Sequence, residues 1–398
     1  MRVSLFGYGK TTQALAQEFS HVDFYDDKCH KPFKDANGYR VSPASFFDPL
    51  YSDLEIPSPG IPPIHPLIQK ARHLQSEYDY FADVMPRSIW VSGTNGKTTT
   101  TQMITHLLGE EIAQAGGNIG TPLASMDRAK PLWILETSSF TLHYTHIAKP
   151  DIYVLLPIRE DHISWHGSFE AYEAAKLKPL EMMQEGEIAI VPKKYASLRS
   201  SAALIGYERS EDLASYFGID PNKIAYKGAF LLDALLAMAI DKILFDRVDY
   251  DKINAFRLDA NRQEKLYDGS QRVWINDTKA TNIDATIACV ENFKDRTIHL
   301  ILGGDDKGVE LEPLFRYLQD KDITTYHIGA NTKRLDAYAK HYGIAFVSCE
   351  NLEDAIKEID KHHTKKTVAI LSPAAASLDQ FSSYAHRGEV FKEAIRRL

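Results

Sequence analysis

The segment Ser92-Gly93-Thr94-Asn95-Gly96-Lys97-Thr98-Thr99 constrains the fold of this chain more than any other. An apolar stretch, Ile89–Val91, precedes it, and a helical pattern, Thr98–Leu108, follows. Glycines let a backbone turn tightly and aim its N–H groups at phosphate oxygens. The helix that follows adds the positive end of its dipole. Lys97 can reach the outer phosphates of a nucleotide, and the Thr98 hydroxyl can bind Mg²⁺. The widespread form GxxxxGK[ST] would need glycine at the place held by Val91, so this loop is a variant. The plain alternative is a glycine turn with a surface lysine; the flanking strand and helix favour phosphate binding.

The same rhythm runs through most of the chain. Strand candidates are Arg2–Phe6, Val22–Tyr25, Asp53–Ile56, Ile89–Val91, Leu132–Glu136, Asp151–Leu156 and Glu187–Val191, then Arg272–Asn276, Thr297–Leu302, Thr324–Ile328 and Thr367–Leu371. Helical patterns such as Lys227–Ile240 and Leu352–His362 lie between them. The alternation predicts parallel sheets with helices on both faces. A chain of 398 residues needs two or three domains. Seams are expected at Met85-Pro86-Arg87 and near Phe256–Ala260, which gives domains 1–86, 87–257 and 258–398. The breaker cluster Pro57-Ser58-Pro59-Gly60-Ile61-Pro62-Pro63 reads as a functional loop inside the first.

Composition excludes several classes. The formal net charge of −8 leaves no basic field for a nucleic-acid backbone. An anionic substrate has to be held by local Lys, Arg and backbone N–H groups. Cys29, Cys289 and Cys349 are far apart, so neither a disulfide framework nor a thiolate zinc site is suggested. No signal-peptide h-region follows Met1, and no apolar run reaches the roughly 20 residues of a membrane span. A cytoplasmic monomer is the expectation. Gly7-Tyr8-Gly9 is a weaker sign than the phosphate loop, because a dinucleotide fingerprint wants a third glycine where Thr12 stands. Asp26 and Asp27 close the next strand candidate, where a carboxylate can meet a ribose or base.

Gly93-Thr94-Asn95-Gly96-Lys97-Thr98 resembles the ATP loop of the Mur ligases and their folylpolyglutamate synthase relatives. Further segments match that family in order: Gly117-Asn118-Ile119-Gly120, Glu136-Thr137-Ser138-Ser139-Phe140, Glu160-Asp161-His162 and Ala174-Ala175-Lys176. Trp274–Asn282, Gly303-Gly304-Asp305 with Lys307, and Leu371–Phe381 follow, and these three are similar to the D-glutamate-adding branch. The resemblance runs from Gly7 to Phe381 and implies three α/β domains. These would be a Rossmann-like UDP-binding domain, a central P-loop ATPase-type domain with a parallel sheet, and a Rossmann-like C-terminal domain.

The resemblance also implies a reaction. ATP and Mg²⁺ would activate the carboxylate of UDP-N-acetylmuramoyl-L-alanine as an acyl phosphate, and the amine of D-glutamate would displace phosphate. Gly93, Thr94, Asn95, Gly96, Lys97, Thr98 and Thr99 would hold ATP, with Arg262, Asp277 and Lys279 from the third domain. Thr98 and Glu136 are hard oxygen ligands suited to Mg²⁺; His162 would complete a second metal site, and Lys176 would be carbamylated. Lys97, Glu136, His162 and Lys176 form the implied catalytic set. Lys10, Thr11, Asp26, Ser58, Pro59, Gly60, Asn118 and Ser138 would contact the UDP-muramoyl substrate. Thr281, Lys307, Ser377, Leu378 and Tyr384 would hold D-glutamate.

Each residue has a plainer reading. Glu136 alone would be a strand-end carboxylate in a salt bridge, Lys176 an exposed helix lysine, and Ser377-Leu378 a helix N-cap followed by core. The chain also departs from the family. Phe230 and Asp233 replace an N-x-x-N pair, Leu156-Pro157-Ile158-Arg159 replaces an N-x-T type of sequence, and Asn261 stands where a histidine usually precedes Arg262. The competing functions are another Mur-type or folylpolyglutamate-type ligase, and a nucleotide-dependent protein that hydrolyses ATP without ligating. A nicotinamide dehydrogenase built on the first domain is disfavoured by Thr12.

Overall fold

A computed structural model describes residues 1–306 and 308–398. Its strands are β1 (Val3–Phe6), β2 (Val22–Asp26), β3 (Phe33–Lys34), β4 (Arg40–Pro43), β5 (Leu54–Pro57) and β6 (Arg87–Ser92). Next come β7 (Ala113–Gly117), β8 (Leu132–Glu136), β9 (Ile152–Leu155), β10 (Ile188–Pro192) and β11 (Ala203–Tyr207). The last are β12 (Glu264–Tyr267), β13 (Val273–Asn276), β14 (Ile298–Gly303), β15 (Ile323–Ile328), β16 (Ala345–Ser348) and β17 (Val368–Leu371).

The chain forms two compact units, Met1–Tyr226 with Phe230–Phe256, and Lys227–Ala229 with Arg257–Leu398. The first holds two sheets. One is five-stranded in the order β3-β4-β2-β1-β5, the other six-stranded in the order β11-β10-β9-β6-β8-β7. Their described pairings are parallel apart from β3 with β4. One apolar core joins Leu5, Phe24 and Ile56 of the first sheet to Trp90, Trp133 and Leu155 of the second. Tyr78 and Phe81, from the helix Glu77–Phe81, belong to that core. The helix is tied down by Asp79, whose buried carboxylate accepts the main-chain N–H groups of His146, Ile147 and Ala148 at 2.8 Å each. The expected seam at Met85-Pro86-Arg87 therefore falls inside one unit, immediately before β6.

The second unit has one six-stranded sheet, β12-β13-β17-β14-β15-β16, parallel apart from β12 with β13. Its two faces are covered by separate apolar clusters, around Leu300, Phe315 and Leu335 on one side and Trp274, Ile356 and Phe391 on the other. In each of the three sheets the strand order changes direction at one strand: β1 between β2 and β5, β6 between β8 and β9, β17 between β13 and β14. Ligand crevices of open parallel sheets form outside the carboxyl ends of such strands. Gly7–Gly9, the phosphate loop and Ser372–Ser377 all begin there. Among the described residues, no helix is long and apolar enough to cross a membrane.

Candidate active site

The phosphate loop leaves β6 at Ser92 and enters the helix Lys97–Leu108, whose N-cap is Gly96. Two glycines are demanded by close approach. A Cβ on Gly93 (φ 135°) would lie 2.5 Å from the Leu156 Cβ, and one on Gly96 (φ 87°) would lie 2.5 Å from Asp233 Oδ1. Thr94 is pinned by the segment after β9. Its N–H donates to the Pro157 carbonyl at 3.1 Å, and its hydroxyl accepts the Arg159 N–H at 2.9 Å. Lys97 lies along the loop and donates to the Gly93 and Thr94 carbonyls at 3.1 and 2.8 Å.

Thr98, Glu136 and Asn118 come together beside the loop. The Thr98 hydroxyl donates to Glu136 Oε2 and the Asn118 amide to Glu136 Oε1, both at 2.7 Å. Glu136 ends β8, and the Asn118 main chain follows β7 and bonds the Glu136 carbonyl at 2.9 Å, so pairing of two parallel strands sets the cluster. Asn95 and Thr99 flank it at the loop and in the first helical turn.

Lys176 lies on the helix Phe169–Met182 and is 1% exposed, which overturns its reading as a surface lysine. Its amine donates to the Gly93 carbonyl at 2.7 Å and sits 4.9 Å over the Tyr172 ring. Burial, and then the Lys97 ammonium, hold the amine well below the usual lysine range, while Asp161 and Glu136 pull the other way. His162 begins the short helix Ile163–His166 with a left-handed backbone (φ 53°), and its ring packs against Phe140 at 4.7 Å. Its N–H donates to Asp161 Oδ1 at 2.8 Å. Asp233, at one of the replaced asparagine positions, accepts the Thr100 hydroxyl at 3.0 Å and is buried against Gly96.

At the first sheet, the Ser58 N–H donates to the Phe6 carbonyl at 2.7 Å, which sets Ser58-Pro59-Gly60 beside the Gly7 turn. Asp26 serves local structure, accepting the Tyr8 and Lys28 N–H groups at 2.7 Å each. The Lys10 amine donates to the Gly120 carbonyl, so the first sheet's glycine turn and the Asn118–Gly120 loop are joined; Thr11 is half-buried next to it. Ser138 caps the helix Ser139–Tyr144 by accepting the Thr141 N–H at 3.0 Å.

In the second unit, Arg262 stands between Asn261 (φ 69°) and Gln263 (φ 45°), and its buried Nε has no hydrogen-bond partner among the described residues. Asp277 accepts the Ser372 hydroxyl at 2.8 Å and the Gln263 N–H at 3.2 Å; burial pushes its carboxyl up to about 6. The Lys279 amine lies 5.6 Å over the ring of Tyr384, the first residue of the helix Tyr384–Arg396. Ser377 opens a turn rather than a helix, its carbonyl accepting the N–H groups of Gln380 and Phe381, and Leu378 is 71% exposed rather than core. Thr281 is exposed. Lys307 lies outside the described residues.

Sequence reasoning missed the residue that organises this end of the sheet. Arg387 is 1% exposed and donates to the Thr278 hydroxyl (2.8 Å) and to the carbonyls of Thr278 (3.0 Å), Ala375 (3.1 Å) and Gly303 (3.4 Å). It thereby ties together the loops that follow β13, β14 and β17. A lone arginine on an amphipathic helix carries no signal of such a role. Asp306 was missed too; it accepts Arg334 and Asn331 at 2.6 and 2.9 Å.

Comparison with known proteins agrees with this architecture. Residues 91–229 match the model of the Mur ligase middle domain. The solved UDP-N-acetylmuramate–alanine ligase of Thermotoga maritima aligns with a TM-score of 0.57 at 17% identity, over 99% of this chain and 98% of that one. The MurF ligase of the same organism, in complex with ADP, gives 0.59 at 16% identity over 87% and 88%. The fold is thus that of a three-sheet ligase. A protein of Campylobacter jejuni named UDP-N-acetylmuramoylalanine–D-glutamate ligase is 54% identical over 100% of both chains. A Helicobacter pylori protein of the same name is 45% identical over 99% of both. The chain belongs to the Mur ligase family, on the branch of its UDP-N-acetylmuramoylalanine–D-glutamate ligases.

Proposed function

We propose that this chain uses ATP to join D-glutamate to UDP-N-acetylmuramoyl-L-alanine, a step of peptidoglycan precursor synthesis. It is an ATP-dependent amide ligase. The observation that carries the reading is the Thr98–Glu136–Asn118 cluster beside the phosphate loop, whose Gly93 carbonyl accepts the buried Lys176 amine. Amide formation in water needs an activated carboxylate. The alanine carboxylate attacks the γ-phosphorus and ADP leaves, giving an acyl phosphate. The D-glutamate amine then attacks the carbonyl carbon, loses a proton, and phosphate departs. The first step presses two anions together, so the residues around it must neutralise charge.

The loop N–H groups of Gly93–Thr99 and the Lys97 amine bind the phosphates, and the dipole of the helix Lys97–Leu108 favours them there. The donor set fits a hard cation: a hydroxyl and a carboxylate already 2.7 Å apart, Thr98 with Glu136, are ligands that Mg²⁺ accepts beside phosphate oxygens. Bound there, Mg²⁺ would supply charge neutralisation between the reacting anions. His162 is the candidate for a second metal position. Lys176 is held towards its neutral form, the form that takes up CO₂ as a carbamate with loss of a proton. Asn118 and Ser138 hold the muramoyl-alanine end, and Lys10, Thr11, Asp26 and Ser58-Pro59-Gly60 the uridine-diphosphate end. In the second unit, Arg262, whose buried Nε has no partner among the described residues, suits phosphate charge, next to Asp277 and Lys279. Thr281, Lys307, Ser377, Leu378 and Tyr384 receive D-glutamate. The expected domains 1–86, 87–257 and 258–398 each contain one of the three sheets.

The test is phosphate release from ATP and Mg²⁺ with UDP-N-acetylmuramoyl-L-alanine, adding D-glutamate, L-glutamate or no amino acid. Release that requires D-glutamate, with the amide product seen by mass spectrometry, is the expected result. Release indifferent to the amino acid would overturn the reading.

A further inference from the structure

Two helices of the second sheet reach across to the loop after β5. Tyr144, the last residue of the helix Ser139–Tyr144, donates its hydroxyl to the Ile61 carbonyl at 2.6 Å. Trp165, in the helix Ile163–His166, donates its indole N–H to the Gly60 carbonyl at 3.0 Å. Two aromatic donors thus hold consecutive carbonyls of one loop. They are also packed on each other: the Trp165 ring lies 5.9 Å from Tyr144, 4.5 Å from Phe140, 5.2 Å from His143 and 4.4 Å from His166. Burial holds the His143 imidazole below its usual range and pushes that of His166 down to about 4, so the cluster carries no imidazolium from either at neutral pH. Tyr144 remains a phenol and an obligatory donor, because burial raises it far above neutrality.

The sequence positions of these two helices give the contact a function. One begins three residues after Glu136 and is capped by Ser138; the other begins immediately after Glu160-Asp161-His162. Each helix therefore has a candidate reacting-end residue at its start and a grip on the Ser58–Ile61 loop near its finish. A substrate that stretches from that loop to Glu136 would be measured off by this pair of struts.

We propose that Trp165 and Tyr144 are positioning residues for the nucleotide-linked substrate, fixing the Ser58–Ile61 loop in register with the Glu136–Ser138 end of the site. The proposal rests on reading Ser58-Pro59-Gly60 as the uridine-diphosphate loop. Neither residue touches the reacting atoms. Each acts by removing freedom from a loop that the substrate would otherwise have to order itself. The contribution therefore belongs to the Michaelis constant of that one substrate.

Trp165→Phe keeps an aromatic ring against Phe140 and deletes the N–H; Tyr144→Phe deletes a single oxygen. In the full-length enzyme each is expected to raise the KM for UDP-N-acetylmuramoyl-L-alanine by about 2–10-fold. The KM values for ATP and D-glutamate should stay at the wild-type level. The double variant should fall short of the product of the two single effects, because both bonds restrain the same loop. A second readout is optical. The chain has four tryptophans, of which Trp90, Trp133 and Trp274 are fully buried, so Trp165 supplies the iodide-quenchable emission. Adding UDP-N-acetylmuramoyl-L-alanine should shield that emission, and Trp165→Phe should abolish the quenchable fraction. An active wild type whose two Phe variants keep its KM for this substrate, or raise the KM for ATP equally, overturns the proposal alone. A wild type that cannot use the substrate overturns the functional reading and the proposal together.

Discussion

Replacing Arg387 with Met should loosen the ligand end of the second unit's sheet by about 3 kcal/mol. The guanidinium is buried and donates to the Thr278 hydroxyl and to three main-chain carbonyls, those of Thr278, Ala375 and Gly303. A buried acceptor left without a donor costs roughly 1–3 kcal/mol, so three orphaned carbonyls cost roughly 3–9. Part of that is offset. Burial has pushed the guanidinium from its ordinary value down to about 10, which at about 1.4 kcal/mol per pH unit is roughly 3 kcal/mol of charge burial that Met does not suffer. The methionine side chain refills much of the volume, so the difference of these terms spans roughly 0–6 kcal/mol and centres near 3. Arg387→Lys keeps a cation but cannot fork across three loops, so about half the loss is expected. Hydrogen exchange on the full-length protein is the appropriate assay, because it reads the segments 276–282, 301–306 and 372–378 separately. Thr281, Ser377 and Leu378 ride on those loops, so the KM for D-glutamate should rise in parallel. A Met variant whose opening free energies in these segments stay within about 0.5 kcal/mol of wild type would refute the reasoning.

Three other outcomes are expected. Asp79→Ala strips the acceptor from three main-chain N–H groups and should destabilise the first unit by about 3–5 kcal/mol in urea titration; a loss under about 1 kcal/mol would show that water replaces it fully. Glu136→Gln and Thr98→Val should each lower kcat about 10²–10³-fold in the phosphate-release assay. Calorimetric binding of UDP-N-acetylmuramoyl-L-alanine should persist in both, and unaltered turnover in either would remove that residue from the mechanism. Asp277 sets a pH dependence. Its folded pKa, about 6, lies above its ordinary 3.8, so the native state keeps a proton that the unfolded chain releases. The stability this gives is fully present below the unfolded value and is lost as pH rises through about 6, roughly 3 kcal/mol in all. Asp277→Asn should flatten the stability profile across that window and exceed wild type at about pH 8; an unchanged slope there counts against the assignment.

The parts of the fold that were legible in the sequence are those set by short-range chemistry. The strand Leu132–Glu136 matches β8 end for end, and β6, β9, β10, β13, β14 and β17 lie within a few residues of their expected ranges, because a buried parallel strand is a short apolar run between breakers. The edge strands β3, β7, β11, β12 and β16 left no comparable trace. Ala113–Gly117 is made of Ala, Gln and Gly, and Ala345–Ser348 is mostly exposed, so neither shows a buried run. Within the site, Gly93–Thr98 was readable because a phosphate loop is one continuous segment. Lys176 was balanced against a surface reading, since nothing local reveals that its helix places the amine under Gly93. Arg387 and Trp165 were invisible for the same reason: their partners lie 109, 84, 12 and 105 residues away.

Gly303, Gly304 and Gly329 lie where main chain meets main chain. A methyl group on Gly303 would stand 1.9 Å from the Ile328 carbonyl oxygen, one on Gly304 would stand 2.1 Å from that of Ala376, and one on Gly329 would stand 2.9 Å from the Gly304 Cα. The scaffold around the proposed amino-acid end is therefore closed to gradual change, because no L-residue can be introduced at these positions without parting the strands' ends. On the reading proposed above, drift of this lineage towards a different amino acid is expected in exposed side chains such as those at 281, 378 and 384. A mutational library aimed at new acceptor specificity should randomise those three positions and leave the three glycines untouched.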